Sequence, residues 1–149
     1  MIWIMLFMLF FPCSAQAQPW PAAPPAIGRL VMPAAYWEWT LEAAREHQVS
    51  PYVIQGFMAI ESRYKPRATS GRGTCIGLMQ LNRDVARGLG VDPWNPRENI
   101  HGGAQVLSRL MRKYGGDLKR VARAYHGPGC PPAYVREVLR AIKQARRGR

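Results

Sequence analysis

The sequence ESRYKPRATSGRGTCIGLMQ, residues 61–80, decides the architecture expected for this chain. Glu61 at its start supplies a carboxyl group. Gly73 and Gly77 mark a turn-rich passage in which backbone amides can closely approach another molecule. Gln80 at its end can both donate and accept hydrogen bonds, although its apolar neighbours suit a core strand or turn equally well. We therefore expect the remaining chain to act as a scaffold for this passage.

Glu61 is expected to project from the apolar face of a helix that begins at Ser50 and Pro51, since both residue types favour a helix start. Ile54 and Phe57 precede it at helical spacing. A carboxyl group held against apolar side chains has a raised pKa, which suits proton donation near neutral pH. The periodicity alone leaves open a surface glutamate at a helix end.

Apolar residues recur at helical spacing through most of the chain after residue 35. The predicted helices cover about residues 35–48, 51–65, 82–89, 100–114, 118–125 and 135–147. A chain of roughly 115 residues suffices for one modest core. The sequence therefore predicts a mostly α single domain, with a small hairpin near residues 73–80.

Several short motifs follow one another between about residues 35 and 140. They are Glu61-Ser62, then Ala68, Ser70 and Gly73, then Gly77-Leu78-Met79-Gln80, Leu89-Gly90-Val91-Asp92-Pro93, Asn99-Ile100, Gly103, Leu107 and Ala124-Tyr125. In order and rough spacing they resemble the signature of the lytic transglycosylase domain that is related to goose-type lysozymes. The resemblance implies an α+β lysozyme-like fold with a substrate cleft.

The resemblance also implies a reaction with a single catalytic carboxyl group, whereas most glycosidases need two. Glu61 would protonate the β-1,4 bond between N-acetylmuramic acid and N-acetylglucosamine and then deprotonate the C6 hydroxyl, which closes a 1,6-anhydro ring. Attack from within the same sugar competes well with attack by water. No cofactor is implied. No metal site is expected either, because His47, His101 and His126 lack ligand spacing.

Further site residues follow from the same resemblance. Ser62 and Tyr125 would hold and orient Glu61, although Ser62 also suits a helix end and Tyr125 a buried helix face. The sugar subsites would be lined by Gly77, Met79 and Gln80, of which Met79 also suits the core. His126 stands where the family usually has asparagine. Its protonation near neutral pH would make a contact with sugar pH-sensitive.

The amino-terminal region has the features of an export signal. Residues 1–28 contain no charged side chain, and Ile2–Phe11 form an apolar run. As a helix this run is roughly 15 Å long, about half of a hydrocarbon core, and so too short for a membrane anchor. We expect a signal peptide at residues 1–17, a proline-rich and alanine-rich linker at 18–34, and one domain at 35–149. The mature protein would then be periplasmic or otherwise exported, without a membrane span.

Export affects how the cysteines are interpreted. Removal of Cys13 with the signal peptide would leave Cys75 and Cys130, and a cysteine pair in an oxidising compartment is usually bonded. Such a bridge would join the two segments that line the cleft in the family. It would stabilise the fold by about 4 kcal/mol. Two free buried thiols are the alternative.

The net charge of +12 indicates an acidic partner. The last fourteen residues alone carry six basic groups against Glu137. Nucleic acid is excluded by export, whereas peptidoglycan glycan strands and the phosphate-bearing polymers beside them fit both features. The small size and basic tail are typical of transglycosylases that accompany secretion or conjugation assemblies. A solvated basic helix face with no dedicated ligand stays open.

Two other functions remain compatible with the sequence. A hydrolytic muramidase would use water in place of the C6 hydroxyl and would need a second carboxylate near Glu61. A non-catalytic peptidoglycan-binding protein would keep the groove, with Glu61 exposed and without an orienting partner.

Overall fold

The structure is a computed structural model and describes residues 20–148. Its helices are α1 Ala34–His47, α2 Pro51–Glu61, α3 Arg83–Leu89, α4 Pro96–Lys113, α5 Leu118–His126 and α6 Pro132–Arg147. Two short antiparallel strands, β1 (Cys75–Ile76) and β2 (Leu81–Asn82), form a hairpin between α2 and α3. The prediction of a mostly α fold with a small hairpin is confirmed. None of the described helices is both long and apolar enough to cross a membrane.

The centre of the molecule is α2, in which residues 51–59 are all buried. This segment contains no charged residue, so other helices can surround it without burying a charge. It packs against α6, α1 and α4. Gly56 allows the close approach of α6, because a Cβ atom there would lie 2.5 Å from Cγ1 of Ile142. The helix begins at Ser50 and Pro51 as predicted, although the Ser50 side chain makes no capping hydrogen bond.

The hairpin is fastened to α4 by the buried side chain of Asn99. Its Nδ2 atom donates to the carbonyl oxygens of Ile76 and Pro93, both at 2.8 Å. Its Oδ1 atom accepts from the backbone amide of Met79 at 2.7 Å. Gly77 lies against the side-chain amide of Asn99. Its φ is +81°, and a Cβ atom added to it would lie 2.4 Å from Nδ2 of Asn99. Glycine is therefore required there both for conformation and for space.

Residues 20–33, which belong to the linker predicted at 18–34, lie against the helices. The indole Nε1 of Trp37 donates to the Pro21 carbonyl at 2.9 Å, and Nε2 of the buried Gln55 donates to the Pro25 carbonyl at 2.6 Å. The side chains of this segment that are buried in the core are Ile27 and Met32. The segment is held because buried donors on α1 and α2 need its carbonyl groups. The predicted signal peptide, residues 1–17, lies outside the described residues.

Candidate active site

Glu61 is the last residue of α2 and carries its carboxyl group out of the apolar core into a cleft. Burial raises the pKa of Glu61 from 4.5 to about 7, and a hydrogen bond from Tyr134 opposes part of that rise. The carboxyl end of a helix also disfavours negative charge. Glu61 is therefore poised to exchange a proton near neutral pH, as its position on an apolar helix face predicted.

Tyr134, in the first turn of α6, donates a short hydrogen bond from its hydroxyl to Oε1 of Glu61. Burial and the neighbouring Glu61 raise the pKa of Tyr134 far above its usual range, so its hydroxyl remains a donor. Tyr134 was not among the site residues predicted from the sequence. A usable signal was present, because Tyr134 precedes Val138 by one helical turn and so extends the apolar face of α6.

Tyr125 and Ser62 do not make the contacts that the resemblance implied. The Tyr125 hydroxyl donates to the carbonyl of Met79 at 2.8 Å, and its ring packs on Phe57 with 4.9 Å between centroids. The Ser62 hydroxyl donates to the carbonyl of Met58, one turn back in its own helix, at 3.2 Å. Tyr125 thus supports the backbone of the cleft wall. Ser62 provides a hydrogen bond to a backbone carbonyl at the end of α2, which agrees with the alternative role at a helix end.

Gln80 is fixed in the cleft wall by its own amide group. Nε2 donates to the carbonyl oxygens of Ala68 and Gly77, both at 3.0 Å. These bonds hold the residue at a φ of +47°, which is uncommon for a side chain larger than glycine. Because both amide hydrogens are used, the amide oxygen is the group left to accept a hydrogen bond in the cleft.

Met79 and Gly77 lie behind this wall. The Met79 side chain is fully buried and packs on Gly103, where an added Cβ would lie 2.6 Å from Cγ of Met79. The space above Gly77 is filled by Asn99. Both residues therefore shape the wall through its backbone, whereas the resemblance placed them in the sugar subsites.

The cleft has a volume of about 170 Å³ and is lined by Glu61, Ser70, Cys75, Gln80, Tyr125 and His126. An adjoining cavity of about 170 Å³ shares four of these residues and extends along Leu81, Asn82, Val85 and Val106. The imidazole of His126 contacts the edge of the Tyr134 ring, with 4.7 Å between centroids. Of the predicted site residues, the structure brings together Glu61, Gln80, Tyr125 and His126. The two cavities adjoin through their shared residues and form one groove.

Glu61 is the only carboxylate among the described residues that line the cleft. Asp84 pairs with Arg87 on the surface of α3. Glu98 accepts from the backbone amide of Asp92 at 2.7 Å. Asp117 caps α5, because its carboxylate accepts from the backbone amides of Lys119 and Arg120. These acids stabilise turns and helix ends and do not reach the cleft.

Residues 38–144 match the family model of the Transglycosylase SLT domain. The chain belongs to this family. The lytic transglycosylase resemblance noted in the sequence is thereby confirmed. The match begins within α1 and ends near the carboxyl end of α6, so the SLT domain includes every element that lines the cleft.

Several SLT-domain relatives have names that describe related enzymes. A transglycosylase of Enterobacteria phage PRD1 is 39% identical over 93 residues, which are 62% of this chain and 34% of that protein. Membrane-bound lytic murein transglycosylase F 1 of Alkalilimnicola ehrlichii is 36% identical over 91 residues, 60% of this chain and 18% of that protein. The chain thus matches about a third or less of the length of these relatives.

A solved structure shares the fold of this SLT domain. It is that of an inactive mutant of lytic transglycosylase Slt from Pseudomonas aeruginosa, with a TM-score of 0.56. The sequences are 21% identical, and the match covers 77% of this chain and 22% of that chain. The likeness confirms the lysozyme-like architecture expected from the sequence.

The two cysteines of the SLT domain, Cys75 and Cys130, are both free in the structure. The Cys75 sulfur accepts from the Thr74 hydroxyl at 4.0 Å, and the Cys130 thiol donates to the Pro131 carbonyl at 3.8 Å. Each sulfur therefore contacts its own neighbour in sequence, and the expected disulfide is not formed. Cys75 still lines the cleft, on the wall that Gln80 completes.

Proposed function

We propose that this SLT domain is a lytic transglycosylase that cleaves peptidoglycan glycan strands and leaves 1,6-anhydro ends. The observation that carries the proposal is the state of Glu61. Its carboxyl group has a pKa of about 7, is held by Tyr134, and stands without a second carboxylate among the described residues lining its cleft. The names of the SLT relatives support the same activity.

In the first step Glu61 acts as a general acid. Because Oε1 accepts the Tyr134 hydrogen bond, Oε2 is the carboxyl oxygen left to carry the acidic proton to a substrate. Transfer of this proton to the glycosidic oxygen breaks the bond from that oxygen to C1 of the muramic acid residue. The acetamido group of that residue stabilises the positive charge that develops at C1.

In the second step the Glu61 carboxylate acts as a general base. It removes the proton from the C6 hydroxyl while O6 bonds to C1, so the carboxyl group regains its proton and no water is consumed. The Tyr134 hydroxyl stabilises the carboxylate between the two steps, since a hydrogen bond to an ionised acceptor is strong. The carbonyl oxygen of Gln80 is placed to accept from a sugar hydroxyl or amide.

The two alternative functions have less support from the site. A muramidase would need a second carboxylate to activate water or to act as a nucleophile, about 5–10 Å from the acid. The described residues of the cleft supply none. A binding protein without turnover would not need a largely buried Glu61 with a dedicated hydrogen-bond donor. Both features favour catalysis.

The proposal is tested by digesting purified peptidoglycan with the chain and with Glu61→Gln, followed by mass spectrometry of the soluble products. Glutamine keeps the shape of the side chain and its acceptor for Tyr134 but has no acidic proton. We expect anhydro-muropeptides from the parent chain and none from the variant. Equal product from both proteins would refute the role of Glu61, whereas binding without product from either would indicate a wall-binding protein.

We further infer that the protein acts outside the cytoplasm and opens the wall locally for an envelope-spanning secretion or conjugation assembly. This inference is supported by the uncharged amino-terminal stretch and by the basic surface. It is also supported by the names of two relatives, of which one is a phage protein and the other is called membrane-bound. Cell fractionation should recover the chain, shortened near residue 17, outside the cytoplasm. A cross-linked pull-down that recovers wall fragments but no envelope-assembly protein would count against the assembly partner.

A further inference from the structure

A second cluster of reactive side chains lies between α1 and α4, on helices that do not carry Glu61. It consists of Glu46 and His47, at the carboxyl end of α1, and His101 in the second turn of α4. The packing of α1 on α4 brings these residues together. One nitrogen or oxygen atom from each residue lies within 4.8 Å of the corresponding atoms of the other two.

The two imidazoles have unused nitrogen atoms. Nε2 of His47 and Nε2 of His101 are both buried and have no hydrogen-bond partner. A carboxylate oxygen lies near each: Oε1 of Glu46 is 3.7 Å from Nε2 of His47, and Oε2 of Glu42 is 3.6 Å from Nε2 of His101. These distances are too long for hydrogen bonds. An orphaned buried nitrogen is costly, so a ligand for it is physically warranted.

The distance between Nε2 of His47 and Oε1 of Glu46, 3.7 Å, suits two atoms that share a metal ion. Ligands bound to Zn²⁺ at about 2.0–2.1 Å in a tetrahedral site lie about 3.3 Å from one another. In His101 the nitrogen that approaches this pair is Nδ1, which lies 3.1 Å from Oε2 of Glu46. Nε2 of His101 lies beside the Glu42 carboxylate, and a carboxylate beside the second ring nitrogen is the usual way in which a metal-binding histidine is oriented.

The local charge also favours a cation. The cavity beside the cluster has a volume of about 240 Å³ and is lined by Glu42, Glu46, Val91, Arg97, Glu98 and His101. Three of the nine acidic residues of the chain thus meet at one place in a protein of net charge +12. The one cation that lines it, Arg97, is paired with Glu42. Glu42 is therefore engaged, which leaves Glu46, His47 and His101 as the available ligands.

We propose that His47, His101 and Glu46 form a binding site for a divalent transition-metal ion, with Zn²⁺ as the ion that fits best. Two imidazoles and one carboxylate are a donor set that zinc accepts, and water completes the coordination. The ion would join the end of α1 to the start of α4. The site does not depend on the proposed function, because it shares no residue with the Glu61 cleft.

The test is a titration of the chelator-treated full chain with ZnCl₂ in a calorimeter. Cys13, Cys75 and Cys130 are first replaced by serine, so that thiols cannot bind the metal. We expect one Zn²⁺ per chain, and affinity lower by at least about tenfold in His47→Gln and in His101→Gln. His126→Gln is the matched control, since the third histidine of the chain lies in the Glu61 cleft, and it should bind zinc as the parent does.

Nuclear magnetic resonance of the parent chain keeps the test independent of whether a variant folds. With only three histidines, each imidazole can be assigned, and Zn²⁺ should shift the imidazole nitrogen signals of His47 and His101 and leave those of His126 unchanged. Equal affinity of the parent and the folded His101→Gln variant would overturn the site. So would the absence of any binding, or a zinc-dependent shift confined to His126.

Discussion

The hydroxyl of Tyr134 donates a hydrogen bond to Oε1 of Glu61 across 73 residues of sequence. Glu61 ends one helix and Tyr134 lies in the first turn of another, so the packing of α2 on α6 sets the geometry of the Glu61 carboxyl group. This contact occupies Oε1 and leaves Oε2 available for proton transfer. It also makes the last helix a part of the site.

Tyr134→Phe should lower kcat about 10–100-fold, because the carboxylate formed between the two steps loses a buried donor. The Tyr134 hydrogen bond lowers the pKa of Glu61, so its loss should raise that pKa further. The pH–rate profile should therefore shift towards alkaline pH. Tyr125→Phe is the control, since its hydroxyl binds Met79 and not the acid. A profile that moves equally in both variants would argue against this assignment.

The stability of the protein should fall between about pH 4.5 and pH 7. The pKa of Glu61 is raised from 4.5 to about 7 in the folded state, so folding favours its protonated form. This contribution to stability is fully present below the pKa of Glu61 in the unfolded chain, and it is lost as pH rises through the pKa of Glu61 in the folded protein. The Glu61→Gln variant does not undergo this loss. Its free energy of unfolding, measured with urea, should therefore exceed that of the parent by about 3 kcal/mol at pH 8.

At pH 4 the parent and Glu61→Gln should differ little in free energy of unfolding. The exposed Glu137 provides the control, because Glu137→Gln should leave the pH dependence of the parent in place. Parallel stability curves for the parent and Glu61→Gln would show that the carboxyl group is not desolvated by folding.

Gly56→Ala should destabilise the fold by about 1–3 kcal/mol, because the added methyl group overlaps Ile142 and its backbone nitrogen, at 2.5 and 3.0 Å. Gly88→Ala tests the same change in α3, where a Cβ atom meets nothing within 4 Å. That variant should be more stable than the parent by about 0.5–1 kcal/mol. Thermal unfolding of the two variants should therefore give shifts of opposite sign.

Asn99→Ala should lower the free energy of unfolding by about 3 kcal/mol or more. It leaves three backbone groups without their partner, namely the carbonyl groups of Ile76 and Pro93 and the amide of Met79. The cleft wall should loosen with it, so activity should fall even where the variant is folded. Asn95→Ala removes a helix cap and an exposed hydrogen bond to Glu98, and it should lower the free energy of unfolding by about 1 kcal/mol. Similar losses in the two variants would contradict the role of Asn99 as the tie between hairpin and helix.

The features that could be predicted from the sequence are those with a local or a repeated signal. Ser50, Pro51 and the apolar residues that follow them placed Glu61 on the apolar face of a helix, although that helix ends at Glu61 and not near residue 65 as predicted. The hairpin near Gly77 followed from a cluster of glycines. In both cases, residues close in sequence determine the structure.

The features that were missed depend on contacts between distant segments. Tyr134 reaches Glu61 only because α6 packs on α2, and Gly56, which permits that packing, gives no sign of its partner. Likewise, His47 and His101 are 54 positions apart and meet only in the folded chain. Helical periodicity shows which face of a helix is buried but not which side chains lie opposite it.

The most direct test of the central claim is the digestion of peptidoglycan in ¹⁸O-labelled water, with the mass of the new muramic acid ends measured. Attack by the C6 hydroxyl consumes no water, so the account predicts anhydro ends that carry no ¹⁸O and are lighter than reducing ends by one water molecule. Glu61→Gln should form neither product. Reducing ends labelled with ¹⁸O would contradict the account and would identify a hydrolase.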